Sequence, residues 1–346
     1  MTTIRDVAAL AGVSPATVSL VINNNPRIAE QTAQRVNDAI AQLKYVPQKT
    51  GRPSRSKSGR RKQRTITFVS SSSFIHSQSQ MVYMQLLDGV NQYLESQQCN
   101  SQFVCVGPDE SIPENLLNSD TQGFILLGPE LVPKMLQTQT AIPFVQVMGA
   151  ILGDETWDHI TGNNELVGKL AADYLAAHNH THIAVLDCGK ANQVYYDRSH
   201  AFERYAKKTG AMTYRTDRMV FNREGDLLTP ITHALHKIKT IKPPPTALFV
   251  PADMLAAAAY PALSSLKLKP GKDIIVISGN NEKVYFTGLN PQPITVNTQA
   301  PEVGRLGAQR LLERIANPNM PYCTQVVSPT LDLYFSKSPH KKKPRL

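Results

Sequence analysis

Apolar residues never run together for long in this 346-residue chain, and no run reaches the roughly 18 that a membrane-crossing helix needs. The chain opens on a capped amphipathic segment, not a basic-then-apolar leader, so no signal peptide is expected and the expected setting is the cytoplasm. Cysteine is scarce. Cys99, Cys105, Cys188 and Cys323 are scattered without a C-x-x-C pair, which points to reduced core thiols. No G-x-S-x-G, P-loop, G-x-G-x-x-G or H-E-x-x-H motif occurs, so there is no catalytic centre on which to rest an enzyme. His178-Asn179-His180-Thr181-His182 has metal-capable side chains but no accompanying carboxylate or Cys. It falls where a helix should end, with Asn179 suited to a left-handed cap and His to the last carbonyls. Neither metal nor cofactor is expected.

Acid is missing where base is dense. Met1–Arg64 holds 12 Lys+Arg against 3 Asp+Glu, whereas Thr65–Ser336 holds 20 against 24. The last ten residues, from Lys337, add 5 basic residues and no acid. A basic end on a mildly acidic body fits polyanion binding by that end. The basic stretch has no amphipathic helix with an apolar face, which argues against a membrane surface.

What is present at that end is a helical pattern. Ile4, Val7, Ala8 and Ala11 share one helix face, with Thr3 as N-cap and Asp6 as the acidic partner of a capping-box-like pair. Gly12-Val13-Ser14 breaks the helix, and Ser14-Pro15 starts another, running to about Asn23. Val18, Val21 and Ile22 face inward, leaving Ala16, Thr17, Ser19 and Leu20 mostly outside. A third amphipathic helix, about Glu30–Leu43, brings Val36, Ile40 and Leu43 to a small core. Two short helices about a Gly-containing turn form a helix-turn-helix pattern.

Lys49–Arg64 (KTGRPSRSKSGRRKQR) has eight basic residues, no acid and no hydrophobic periodicity, so it is expected to be disordered without a partner. Beyond it, strand-length apolar runs at Thr67–Val69, Phe103–Val106, Phe124–Leu127, Phe144–Val147, Ile183–Leu186, Ala247–Val250 and Ile274–Ile277 alternate with helical stretches. The helices are expected at Met81–Glu95, Leu131–Gln139, Glu165–Ala177, Ser199–Lys208, Leu227–Lys237 and Met254–Leu263. Such alternation predicts parallel sheets covered on both faces, too many strands for one sheet, and a ligand cleft between two Rossmann-like subdomains.

T-I-R-D-V-A-x-x-A-G-V-S-x-A-T-V-S-x-V-x-N, then Pro26-Arg27-Ile28, Arg35-Val36 and Tyr45-Val46-Pro47, resembles the head of the LacI/GalR family of bacterial transcription regulators. The body resembles that family's core more loosely, through Gly123–Leu126, Pro143, Gly162–Gly168, Pro245–Val250 with Asp253, and Gly304–Leu312. The resemblance implies an all-α helix-turn-helix head on an α/β periplasmic-binding-protein-like core of two parallel-sheet subdomains. The boundaries are head 1–47, basic linker or hinge 48–64, core 65–336 and basic disordered tail 337–346. Within the core, subdomain 1 takes about 65–161 and 292–322, and subdomain 2 about 162–291 and 323–336. It further implies a nucleoid-associated homodimeric repressor on a pseudo-palindromic double-stranded operator, gated by a small polar effector such as a sugar or related metabolite.

The departures matter. Where the family usually has a basic residue closing the recognition helix, this chain has Leu20; Pro15 and Ala16 open that helix in place of larger residues. Leu20 and Ala16 suit thymine methyls, leaving Thr17, Ser19 and Asn23 to phosphates. With Thr3, Ser14 and Arg27 these are the expected DNA contacts, joined by Arg52 and Arg55 in the linker. The family's hinge-helix Leu is Ser54 here, and Gly51 and Pro53 oppose a helix. Gly51-Arg52-Pro53 resembles an AT-hook core, with Thr50 where the preceding Arg usually stands. An extended minor-groove arm and a plain basic linker both remain open. At the effector cleft the expected residues are Ser72, Ser73, Phe74, Arg198, Asp253 and Asn280. Asn280 stands where the family has Asp, and Thr298 where it has Gln. The rival function is an architectural DNA binder with a vestigial cleft. A solute-binding transport protein is set aside for want of a signal peptide.

Overall fold

The computed structural model describes residues 3–22, 28–43, 64–72, 80–107, 109–117, 119–128, 130–138, 140–153, 156–190, 192–220 and 226–332, in two units divided between Lys62 and Gln63. Asn23, Arg27, Arg52, Arg55, Ser73 and Phe74 lie outside the described residues, as do most of the linker and the tail.

The head is three helices: α1 (Ile4–Ala11), α2 (Pro15–Ile22) and α3 (Glu30–Gln42). Thr3 is extended, and its N–H and hydroxyl donate to Asp6 Oδ2 at 2.7 and 2.8 Å. The backbone N–H of Thr3 is the main reason the Asp6 carboxyl sits below its ordinary pKa. α1 stops at Gly12, whose φ of 66° is left-handed, and Ser14 Oγ accepts the Thr17 N–H at 3.1 Å to start α2. α1 and α2 bend by 101° at the break, within the range of a helix-turn-helix. Val7, Ala8, Ala11, Val18, Val21, Val36 and Ala39 are buried together, with Ile22, Ile40 and Leu43 packed around them. In so small a core each fully buried Val is worth about 1.5–3 kcal/mol.

The second unit holds two six-stranded sheets. The first contains β1 (Thr65–Ser71), β2 (Asn100–Val106), β3 (Thr121–Leu127), β4 (Phe144–Val147), β5 (Asp158–Gly162) and β11 (Thr324–Val327), in the spatial order β11-β5-β4-β3-β1-β2 and parallel throughout. The second contains β6 (His182–Val185), β7 (Met212–Arg215), β8 (Ala247–Phe249), β9 (Ile275–Gly279), β10 (Ile294–Asn297) and β12 (Thr330–Asp332), in the order β12-β10-β9-β8-β6-β7. Only β12 runs antiparallel among its described pairings. The strands join apolar cores under long helices, chiefly Gln80–Ser96 and Ala300–Ala316 in the first lobe. Asn164–Ala177 and Gln193–Lys208 do the same in the second.

Two chain crossings differ from expectation. β10 pairs with β9, Ile294 opposite Ile277, so the chain leaves the second lobe near Thr298 instead of before residue 292. β11 pairs with β5, Thr324 opposite His159, so residues 324–327 belong to the first lobe and the final crossing follows Val327. Only hydrogen-bond register distinguishes these alternatives, since short edge strands look alike in either sheet. β2 is an edge strand, which leaves Phe103 and Cys105 exposed, so the core-thiol expectation fits Cys99 and Cys188 but not Cys105. At the His-rich segment Asn179 takes φ 61°, and His178 Nδ1 lies 2.8 Å from the Tyr174 carbonyl, the helix-cap geometry expected. No single helix among the described residues is long and apolar enough to cross a membrane.

Candidate functional site

On the head, Ser14 just before α2 and Pro15, Ala16, Ser19 and Leu20 on it are exposed, while Thr17 is half-buried. Leu20 stands 41% exposed, a large apolar side chain at the far end of a helix flank that is otherwise small or hydroxylated. Ser14 and Thr17 hold each other, their hydroxyls 2.9 Å apart, so this pair sets the start of α2. Thr3 is exposed at the N-terminus of α1.

In the second unit a cavity of about 630 Å³ opens between the lobes. Its two walls differ. The first lobe contributes Leu127, Val132, Leu136, Val147, Met148, Leu152 and Trp157, an apolar surface on which Leu136 and Leu152 are 49% and 70% exposed. Trp157 is fixed there by donating its Nε1–H to Gln146 Oε1 at 2.7 Å. The second lobe contributes amides and a guanidinium: Asn164, Asn192, Gln193, Arg198 and Asn280, with Thr298 at the crossing.

Arg198 organises this polar wall. The helix that carries it begins at Gln193, six residues before the expected Ser199, because Asn192 Oδ1 caps the Tyr195 N–H at 3.1 Å. Its neighbour Asn164–Ala177 comes close at Gly168, where a Cβ would stand 2.5 Å from the Arg198 carbonyl oxygen and the Phe202 nitrogen. Arg198 is 3% exposed; its Nε donates to Asn164 Oδ1 at 2.9 Å and its Nη1 to Pro251 O at 2.9 Å and Asn280 Oδ1 at 2.8 Å. Burial pulls its pKa below the ordinary value. Because arginine only donates, both asparagines must turn their oxygens toward it. Asn280 Nδ2 then donates to Glu282 Oε2 at 2.9 Å.

Of the expected effector residues, Arg198 and Asn280 line the cavity, whereas Asp253 does not. Asp253 lies fully buried at a helix start, accepting the hydroxyls of Ser278 (2.5 Å) and Thr295 (2.7 Å) and the Glu282 N–H (2.6 Å). Burial pushes its carboxyl up to about 6. Its oxygens are committed to tying β9 and β10 to the Glu282 turn, so it positions the wall and does not form it. Ser72 is half-buried after β1 and is not among the lining residues. Asn164, Thr161, Gln146 and Trp157 were not anticipated as lining. The paired Gly162-Asn163-Asn164 at a strand end was the one available signal, with Asn163 capping the helix by accepting the Leu166 N–H at 2.9 Å.

Residues 3–48 match the bacterial regulatory proteins of the lacI family, and residues 172–333 match the periplasmic binding protein-like domain. The HTH-type transcriptional repressor PurR of Aliivibrio fischeri is 30% identical over 91% of this chain and 92% of its own length. The chain belongs to the LacI family. Among other LacI-family relatives, the ribose operon repressor of Haemophilus influenzae is 26% identical over 95% of this chain and 97% of that protein. The same fold occurs in a lac repressor dimer bound to operator and the anti-inducer ONPF, at TM-score 0.62 and 21% identity over 95% of this chain and 97% of that one. It occurs again in the transcriptional regulator CelR in complex with cellobiose, at TM-score 0.63 and 21% identity over 96% and 99%. This LacI-family chain is thus a DNA-binding transcription regulator, and the PurR and ribose operon relatives are repressors, not enzymes.

Proposed function

We propose that the protein is a cytoplasmic homodimeric repressor without catalytic activity, whose grip on a pseudo-palindromic operator is set by a small molecule held between the lobes of the core. The observation that carries this reading is the pairing, within one chain, of a helix-turn-helix whose second helix exposes Ala16, Ser19 and Leu20 with an inter-lobe cavity organised by a buried arginine. In this reading Ala16 and Leu20 pack on thymine methyls. Thr3, Ser14, Pro15, Thr17, Ser19, Asn23 and Arg27 seat the head on the backbone, and Arg52 and Arg55 follow the groove between half-sites. Arg198 and Asn280 contact the effector, and Asp253 holds them in place. The size of the cavity speaks against a vestigial cleft, and with it against the architectural alternative.

Chromosome-wide mapping of bound sites tests this reading. A small number of discrete inverted-repeat sites is expected, each bound about 10³-fold or more tighter than random DNA. Broad coverage without a shared sequence would favour an architectural role.

A further inference from the structure

The polar wall of the cavity offers hydrogen-bond donors and few acceptors. Asn164 and Asn280 spend their oxygens on Arg198, Asn192 spends its oxygen on the Tyr195 N–H, and Gln146 spends its oxygen on Trp157. On the second lobe this leaves, among the described residues, the donors Arg198 Nη2, Asn164 Nδ2 and Asn192 Nδ2, the acceptor Gln193 Oε1, and at the crossing the hydroxyl of Thr298, a residue 3% exposed whose Oγ1 has no partner. No Asp or Glu is among the described lining residues. A free polyol can accept from these donors, but most of its own hydroxyl protons find no side-chain acceptor on such a wall.

The charge balance points the same way. Among the described residues Arg198 forms no ion pair: its acceptors are two side-chain amides and one backbone carbonyl. The two acids behind it are bound to other donors, Asp253 to Ser278, Thr295 and the Glu282 N–H, and Glu282 to Asn280 and the Val82 N–H. A buried guanidinium facing neutral acceptors leaves room for an anion, which its remaining Nη2 can meet with a charge-assisted bond.

We propose that the ligand of this cavity is a carboxylate, its oxygens held by Arg198, Asn164 and Thr298 and its carbon body laid against the Leu127–Trp157 wall of the opposite lobe. This deepens the effector reading and rests on it. The carboxylate can belong to an apolar acid or to a sugar acid; the shared feature is the anion, and the exposed Leu136 and Leu152 favour the apolar body.

The test is calorimetric titration of the full-length protein with three acids, phenylacetate, hexanoate and galacturonate, each beside its primary amide. At least one acid should bind about tenfold or more tighter than its amide, because charge-assisted bonds are roughly twice as strong as neutral ones. Thr298→Val should weaken that acid several-fold, and more than it weakens the amide, without lowering the melting temperature, and Arg198→Gln should abolish the acid–amide difference. Preference for phenylacetate or hexanoate assigns an apolar acid, and preference for galacturonate a sugar acid. Equal binding of every acid and its amide, or no acid binding at millimolar concentration, would overturn the carboxylate. Operator affinity measured with the preferred acid separates the two readings. An acid that binds through Arg198 and leaves operator affinity unchanged supports the carboxylate site and sinks effector gating. A neutral compound that binds the cavity and shifts operator affinity sinks the carboxylate and keeps gating.

Discussion

The Glu282 carboxylate crosses between the lobes of the core to accept the Val82 backbone N–H at 2.9 Å, in the first turn of the Gln80–Ser96 helix. Its other oxygen accepts from Asn280, which in turn accepts from Arg198, so one chain of hydrogen bonds runs from the cavity wall to the opposite lobe. Nearby, Gln85 Nε2 donates to the Asn281 carbonyl at 3.2 Å across the same boundary. Any ligand that moves Arg198 acts on the lobe contact through Asn280 and Glu282.

Burial pushes the Glu282 carboxyl up to about 7, far above an unfolded glutamate. The folded chain therefore keeps a proton that the unfolded chain releases, and this contribution to stability is full at low pH and lost as pH rises from about 4.5 through 7. Asp253, raised to about 6 by burial, adds a slope of the same sign at lower pH. Glu282→Gln has nothing to titrate. The stability of wild type minus that variant should fall by up to about 3 kcal/mol between pH 5 and pH 8, measured by calorimetry. A pH-independent difference would mean Glu282 does not hold the proton.

Gly168 lets the Asn164–Ala177 and Gln193–Lys208 helices touch through backbone atoms. Gly168→Ala should cost about 1–3 kcal/mol and loosen Arg198 from Asn164, so ligand affinity should drop along with the melting temperature. A variant with unchanged melting and unchanged ligand affinity would show the helices can part freely.

Asp158 is fully buried and accepts from Arg310 Nε and Arg314 Nε, each at 2.8 Å, and from the Cys323 N–H at 3.1 Å. It ties the Ala300–Ala316 helix and the start of β11 to β5. Asp158→Asn leaves two guanidinium groups with half a partner and should destabilise the core by about 3–5 kcal/mol in denaturant unfolding. A loss below about 1 kcal/mol, the range of exposed pairs, would place this network among surface-grade ion pairs.

Leu20→Arg should leave head stability near wild type, because the side chain is already 41% exposed. Base preference should shift toward G·C at one position per half-site by about 1–3 kcal/mol, as arginine exchanges a methyl contact for a bidentate guanine bond. Unchanged preference in a binding-site selection would remove Leu20 from the interface.

The head was legible because its signals are local: Thr3 with Asp6, Gly12, Ser14-Pro15 and the Val7–Ala11 face each act within one turn. The central strands were legible from their apolar runs, Phe144–Val147 to the residue. The strands β5, β7, β10, β11 and β12 were not picked out, being short and mixed in polarity, and their sheet membership depends on register alone. At the cavity, Arg198 and Asn280 came from resemblance. Asp253 was placed on the wall although it lies behind it, since sequence position beside a strand end cannot say which way a carboxylate turns. Asn164 and Thr298 come from elements distant in the chain from Arg198, and only folding brings all three to one cavity.

The central claim, a sequence-specific regulator and not a general DNA coat, is tested most directly by selecting ligands for the full-length protein from a random double-stranded DNA pool at near-physiological salt. The account predicts enrichment of one inverted repeat whose half-sites lose affinity, by about 1–3 kcal/mol per changed base pair, at the positions facing Ala16 and Leu20. A pool that enriches no shared sequence, or one bound no better than scrambled DNA, would contradict it.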